Sequence, residues 1–148
     1  MHTGSCLCGG VRFEIDGPLA GIQLCHCSQC RRASGSAFAA NLPVDAANFR
    51  LVGGEAQLRA YESSPGKERV FCGACGSPVI SRLTADPSQV RVRAGLLDAP
   101  VAARPVFHFH SDSKADWAAT NWPSSDGCRR TRRSWVIRFG SSSGRPMK

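Results

Sequence analysis

Seven cysteines gathered in three tight groups constrain this chain more than any other feature. Cys6 and Cys8 lie in SCLCGG, Cys25, Cys27 and Cys30 in LCHCSQCRR, and Cys72 and Cys75 in FCGACGS, while Cys128 stands alone. Partners two or three residues apart make poor disulfides but good chelating arms. The opening MHTGSCLCGG has no charged segment followed by an apolar run, so no secretory signal is expected. A reducing, cytoplasmic compartment is then the default, and there clustered cysteines point to metal or catalysis.

The two outer pairs suit one metal between them. In FCGACGS a tight turn brings two sulfurs together, and the glycine after the last cysteine lets the backbone turn without a side-chain clash. In SCLCGG only one residue separates the sulfurs. Residues i and i+2 of a flat strand lie almost 7 Å apart, roughly. Two sulfurs on a tetrahedral zinc ion approach to about 3.8 Å, because each Zn–S bond is about 2.3 Å. This pair must therefore bend, and Gly9-Gly10 permits it. Cys6, Cys8, Cys72 and Cys75 together supply four thiolates, a complete and closed structural zinc site.

Cys25, Cys27 and Cys30 are left with three ligands. Structural zinc takes four protein ligands, whereas catalytic zinc has three and one open position. His26, Cys128, His108, His110 and His2 are candidate fourth ligands, and any of them would close the site. His26 lies between two ligands, so its side chain is expected to point away. Cys128 would have to fold back from the far end of the chain.

Between these groups the chain reads as short strands and turns. Val11, Phe13 and Ile15 alternate with Arg12 and Glu14, the period of a half-buried strand, and Gly17-Pro18 ends it. SAFAANL (ending before Pro43), AQLRAY, KERVF, SPVISR and QVRVRAG read the same way, with Gly53-Gly54, Ser63 to Gly66 and Asp86-Pro87 as separators. Helical turns are expected only after Cys30, ended by Gly35, and at SKADWAA. An all-β fold follows. No apolar run approaches the roughly 20 residues of a membrane-spanning helix.

The chain has 148 residues and a net charge of +8, which by itself suggests nucleic acid. Its distribution argues otherwise. Residues 124–148 hold Arg129, Arg130, Arg132, Arg133, Arg138, Arg145 and Lys148 against Asp126, so +6 lies there and +2 in residues 1–123. With seven thiolates and two zinc ions, the body sits near −1. Composition shifts after Trp122-Pro123 to Ser, Gly and Arg. Residues 1–123 are expected to form one domain and 124–148 a basic, mostly disordered tail.

GSCLCGGVRFEI, CHCSQCRRASGS, FCGACGSPV and HFHSDSKADW, in that order from Gly4 to Trp117, resemble the signature segments of the glutathione-dependent formaldehyde-activating enzymes. The same family includes centromere protein V. The resemblance implies a β-tent of short antiparallel sheets stapled by a structural zinc at Cys6, Cys8, Cys72 and Cys75. It also implies a second, three-coordinate zinc at Cys25, Cys27 and Cys30, with the fourth position kept for a substrate thiol. Three thiolates on Zn²⁺ leave a soft centre of net −1 that prefers sulfur, and a thiol entering it loses its proton readily.

The activity implied is a carbon–sulfur lyase reaction run in the synthetic direction, joining glutathione (or another thiol) to formaldehyde or another small aldehyde, with S-hydroxymethylglutathione as the product the family name implies. Glutathione carries two carboxylates and one ammonium, so its site needs cations. Arg31 and Arg32 follow the triad directly and are the candidates to hold it. In the fourth segment Trp117 reads as core, His108 as a hydrogen-bonded core histidine, and Lys114 as either surface or substrate attraction. The rival reading is a non-enzymatic zinc module that binds chromatin or nucleic acid, carried by RRTRRSWVIRFG in the tail. The near-neutral body opposes it, and the tail departs from the ordinary enzyme-like pattern, which stops soon after the tryptophan segment. Truncation after Pro123 is expected to leave a folded domain with both metals, because a polar tail buries little apolar area. Elemental analysis of the truncated protein checks this, and loss of the triad metal would identify Cys128 as its fourth ligand.

Overall fold

The alternation of apolar and polar residues sets which faces the strands bury. The structure, a computed structural model, describes residues 1–118; the segment 124–148 and Cys128 lie outside the described residues. In chain order the elements are β1 (His2–Ser5), β2 (Arg12–Ile15), β3 (Ile22–Cys25), α1 (Ser28–Ser34), β4 (Ala39–Asp45) and β5 (Phe49–Gly53). There follow β6 (Leu58–Ser64), β7 (Lys67–Cys72), β8 (Pro78–Leu83), β9 (Asp86–Arg93) and β10 (Pro105–Phe109). Among the described residues no helix is long and apolar enough to cross a membrane.

The strands form two sheets. One has the order β1-β2-β5 and the other β10-β3-β4-β9-β8-β7-β6. All neighbours are antiparallel except β10, which lies parallel to β3 with Phe109 beside Cys25. This all-β architecture of small sheets is the expected one, with a parallel edge that the sequence does not announce. A parallel neighbour needs a long crossover rather than a hairpin turn, and nothing local in PVFHF marks such a pairing. Strand β4 also runs on through Pro43. Its pairing with β3 spans Ala39 to Asn41, so Pro43 lies beyond it, where a residue without an N–H is tolerated.

The core sits between the two sheets. Val11, Phe13 and Ile15 from the small sheet meet Leu42, Val44, Val70, Val79, Ile80, Val90 and Val92 from the large one, together with Cys6 and Cys72. Phe13 and Phe49 pack with ring centroids 5.4 Å apart. On β7 and β9 the buried Val70, Val90 and Val92 alternate with Arg69, Arg91 and Arg93, so one face of this sheet is apolar and the other cationic. At the end of the described chain Trp117 is 63% exposed, against expectation. Ala115 and Ala118 are buried there instead, packed with Ala37 and Phe38. A 3-10 turn, Ser111–Ser113, ends on the first residue of SKADWAA, and from Lys114 to Ala118 the chain makes a turn at Asp116-Trp117, not a helix. Replacing Phe13 with Ala is expected to cost about 3–5 kcal/mol of stability, the range for emptying a buried aromatic site. Denaturant unfolding of the metal-loaded protein measures it.

Candidate metal centres

Both cysteine groups expected from the sequence are assembled. The Sγ atoms of Cys6, Cys8, Cys72 and Cys75 all lie within 4.8 Å of one another, as do those of Cys25, Cys27 and Cys30. In the first group Cys6 and Cys8 are 3.4 Å apart and Cys8 and Cys72 3.9 Å, close to the spacing that one tetrahedral ion imposes. Two matching turns produce it. Gly9 N donates to Cys6 O at 2.8 Å, and Gly76 N donates to Cys72 O at 2.8 Å. Each of these glycines has a positive φ, 72° and 76°, which a side chain would strain. Val11 N points at Cys6 Sγ at 3.2 Å, and the Ser77 hydroxyl lies 3.3 Å from Cys75 Sγ. That hydroxyl, with the Ser77 backbone N–H, holds the Cys75 thiol down to about 5. The group joins the β1–β2 connection to the β7–β8 turn, and so one sheet to the other.

The triad is built from the end of β3 and the start of α1. Cys25 closes the strand, Cys27 is the N-cap, and Cys30 lies one turn into the helix, with its N–H directed at Cys27 Sγ at 3.4 Å. Cys25 and Cys27 are 3.6 Å apart. Burial, reinforced by the neighbouring Cys30 sulfur, pushes the Cys25 thiol up to about 12. Three thiolates at this spacing repel one another, and a soft cation between them removes the conflict, so the residues fit a metal ion. Gly35 ends α1 as expected, with its N–H on Arg31 O.

None of His26, His108, His110 or His2 joins the triad among the described residues. His26 is buried and turned toward β10, its Nε2 2.9 Å from His108 Nδ1 with the rings nearly parallel. Burial first, then His108 and Lys114, lowers its pKa. His108 thus is hydrogen-bonded as expected, but on an exposed strand rather than in the core. Arg31 and Arg32 do not reach the triad's cavity. Consecutive helical residues point in different directions: Arg31 donates to His26 O at 3.2 Å, and Arg32 is exposed.

The cations that do face the triad come from elsewhere. The three sulfurs line a cavity of about 230 Å³ whose other walls include Lys67 and Arg69 of β7 and Arg91 and Arg93 of β9. Strand pairing places them. Arg69, Ser81 and Arg91 are successive partners across β7, β8 and β9, and Gln23, Asn41 and Arg93 across β3, β4 and β9. Arg69 Nη2 lies 3.9 Å from Cys30 Sγ. Burial, then repulsion from Arg91 and Arg69, pushes Lys67 down to about 8. Sequence reasoning missed this group although a signal existed: KERVF and QVRVRAG each place two basic residues at i and i+2, on one face of a strand.

Comparison with known proteins identifies the family. A family model described as glutathione-dependent formaldehyde-activating enzyme matches residues 1–113. The chain belongs to that family. A relative from Halomonas elongata, provisionally named a glutathione-dependent formaldehyde-activating enzyme, is 31% identical over 97% of this chain and 99% of its own. A crystal structure of a Rhodobacter sphaeroides protein shares the fold, with a TM-score of 0.58 and 23% identity over 70% of this chain and 99% of that one. For this family member, removal of metal should separate the two centres. Cys72→Ser is expected to abolish cooperative folding, because a structural metal contributes folding energy outright. Cys27→Ser should keep the native circular dichroism spectrum and lose one bound ion, as elemental analysis of the two variants would show.

Proposed function

We propose that this chain is a two-zinc enzyme that joins glutathione to formaldehyde, giving S-hydroxymethylglutathione, and so belongs to the carbon–sulfur lyases. The observation that carries the reading is the triad itself: three sulfurs on the wall of a cationic cavity, with no fourth donor among the described residues. The family description and the name of the Halomonas elongata relative support the choice of thiol and aldehyde. Cys6, Cys8, Cys72 and Cys75 would hold the structural zinc, and Cys25, Cys27 and Cys30 the second. Sulfur-only donor sets favour zinc among the common biological divalent ions.

When bound at the triad, zinc lowers the pKa of an entering thiol and keeps it as the thiolate nucleophile. The remaining work is positioning by the chain. Cys25, Cys27 and Cys30 fix the place of the substrate sulfur at the cavity wall, and Arg69 sets a positive charge beside Cys30. The thiol loses its proton, its sulfur forms a bond to the aldehyde carbon, and the carbonyl oxygen takes a proton to become the hydroxyl of the product. No carboxylate lines the cavity among the described residues and its one histidine, His110, is exposed, so proximity contributes much of the rate.

With cobalt substituted at the triad, glutathione is expected to raise the sulfur-to-metal charge-transfer band as a fourth thiolate binds. S-methylglutathione, with the same peptide and no ionisable thiol, should leave the band unchanged. A spectrum that already reports four thiolates before any ligand is added would make the site closed and structural.

A further inference from the structure

We infer that the cavity beside the triad is an anion subsite that takes the glycyl carboxylate of the tripeptide thiol and leaves its γ-glutamyl end outside. This rests on the thiol-binding reading above and adds to it an orientation and the residues that set it.

Lys67, Arg69, Arg91 and Arg93 all face the cavity, and no acidic residue lines it among the described residues. Arg93 is the most informative. It is only 6% exposed, its side chain donates to Asn41 Oδ1, and its Nε has no hydrogen-bond partner. Burial lowers its pKa. A guanidinium taken out of water with one N–H unmatched and no carboxylate beside it is costly, and an anion entering the cavity relieves that cost. Asn41 is itself held, its Nδ2 donating to Ala39 O at 3.2 Å, so the Arg93–Asn41 pair is a fixed wall. A carboxylate suits it, because guanidinium groups pair with carboxylates through two parallel bonds.

Size and charge then choose between the ends of glutathione. At about 230 Å³ the cavity is smaller than the pockets of about 300–1,000 Å³ that enclose whole drug-sized ligands, so it admits one arm of a tripeptide rather than all of it. The γ-glutamyl arm carries an ammonium beside its carboxylate and is neutral overall. The glycyl arm carries a carboxylate alone. Four like charges repel an ammonium and attract a bare carboxylate, and low dielectric strengthens both effects. The glycyl arm therefore enters, and the γ-glutamyl ammonium stays in water.

Titration of the cobalt-substituted protein tests the orientation with four thiols: glutathione, its glycyl monoethyl ester, N-acetylcysteinylglycine, and neutral mercaptoethanol. N-acetylcysteinylglycine lacks the γ-glutamyl group and is expected to bind within about threefold of glutathione. The ester should bind about ten- to a hundredfold more weakly, the range for losing a charge-assisted pair. Arg91→Gln, at a half-buried position that the fold tolerates better than Arg93, should lower the ratio of glutathione to mercaptoethanol affinity by a similar factor. An ester that binds as tightly as glutathione overturns the inference while leaving the open metal site intact. So does an N-acetylcysteinylglycine that loses the affinity instead. If no thiol, mercaptoethanol included, changes the spectrum, the thiol-binding reading falls and the orientation with it.

Discussion

A knot of four sulfurs holds two sheets in one relation, and the rest of the molecule depends on it. Cys6 and Cys8 leave the small sheet, Cys72 and Cys75 leave the large one, and Cys72 is a fully buried member of the core between them. A small β domain gains its order from contacts far apart in sequence, which are slow to form and costly in chain entropy. A metal held by these four sulfurs would join residues more than sixty positions apart and close that loop with bonds instead of surface burial. It also fixes the end of β7, the strand whose other residues carry Lys67 and Arg69 to the second centre. With a metal bound, this centre would hold the wall of the other one still.

The second centre is organised differently. Its sulfurs come from one short stretch, a strand end and the first turn of α1, and so do not depend on long-range pairing to find one another. The cations opposite do depend on it. They come from β7 and β9, which meet through β8 only when the large sheet is fully in register. Chelation and charge therefore come from separate parts of the chain and converge at the cavity.

That division explains what could be read in the sequence. The cysteine groups were legible because chelation is local: spacing alone brings two or three sulfurs within reach. Strand β2 was legible from Val11, Phe13 and Ile15, and the β7–β8–β9 run from its alternation, although the β8–β9 turn falls at Thr84-Ala85 and Asp86-Pro87, expected as a separator, begins β9. Strand β10 was not, since PVFHF lies exposed at a sheet edge and pairs in parallel across a long crossover. Trp117 was misjudged because size and hydrophobicity favour burial only where a cavity exists to receive the ring, and the small Ala115 and Ala118 fill that place. The cation group was hidden by summation. A net charge adds residues wherever they are, and the near-neutral total of the body concealed four cations turned to one face. Adjacency to the triad drew attention to Arg31 and Arg32, whereas the cations that line its cavity come from β9 and β7, two and four strands away from β3.

The alternation along β7 and β9 has a consequence for how such a protein can change. Odd and even positions of the same strands serve different masters: Val70, Val90 and Val92 answer to the core, Arg69, Arg91 and Arg93 to whatever enters the cavity. Ligand preference can therefore drift by substitution at the cavity positions with little penalty to folding, while a register slip exchanges both sets at once and is removed as a misfolded chain. Selection sees the two faces separately, so one scaffold can explore new thiols without first rebuilding its interior.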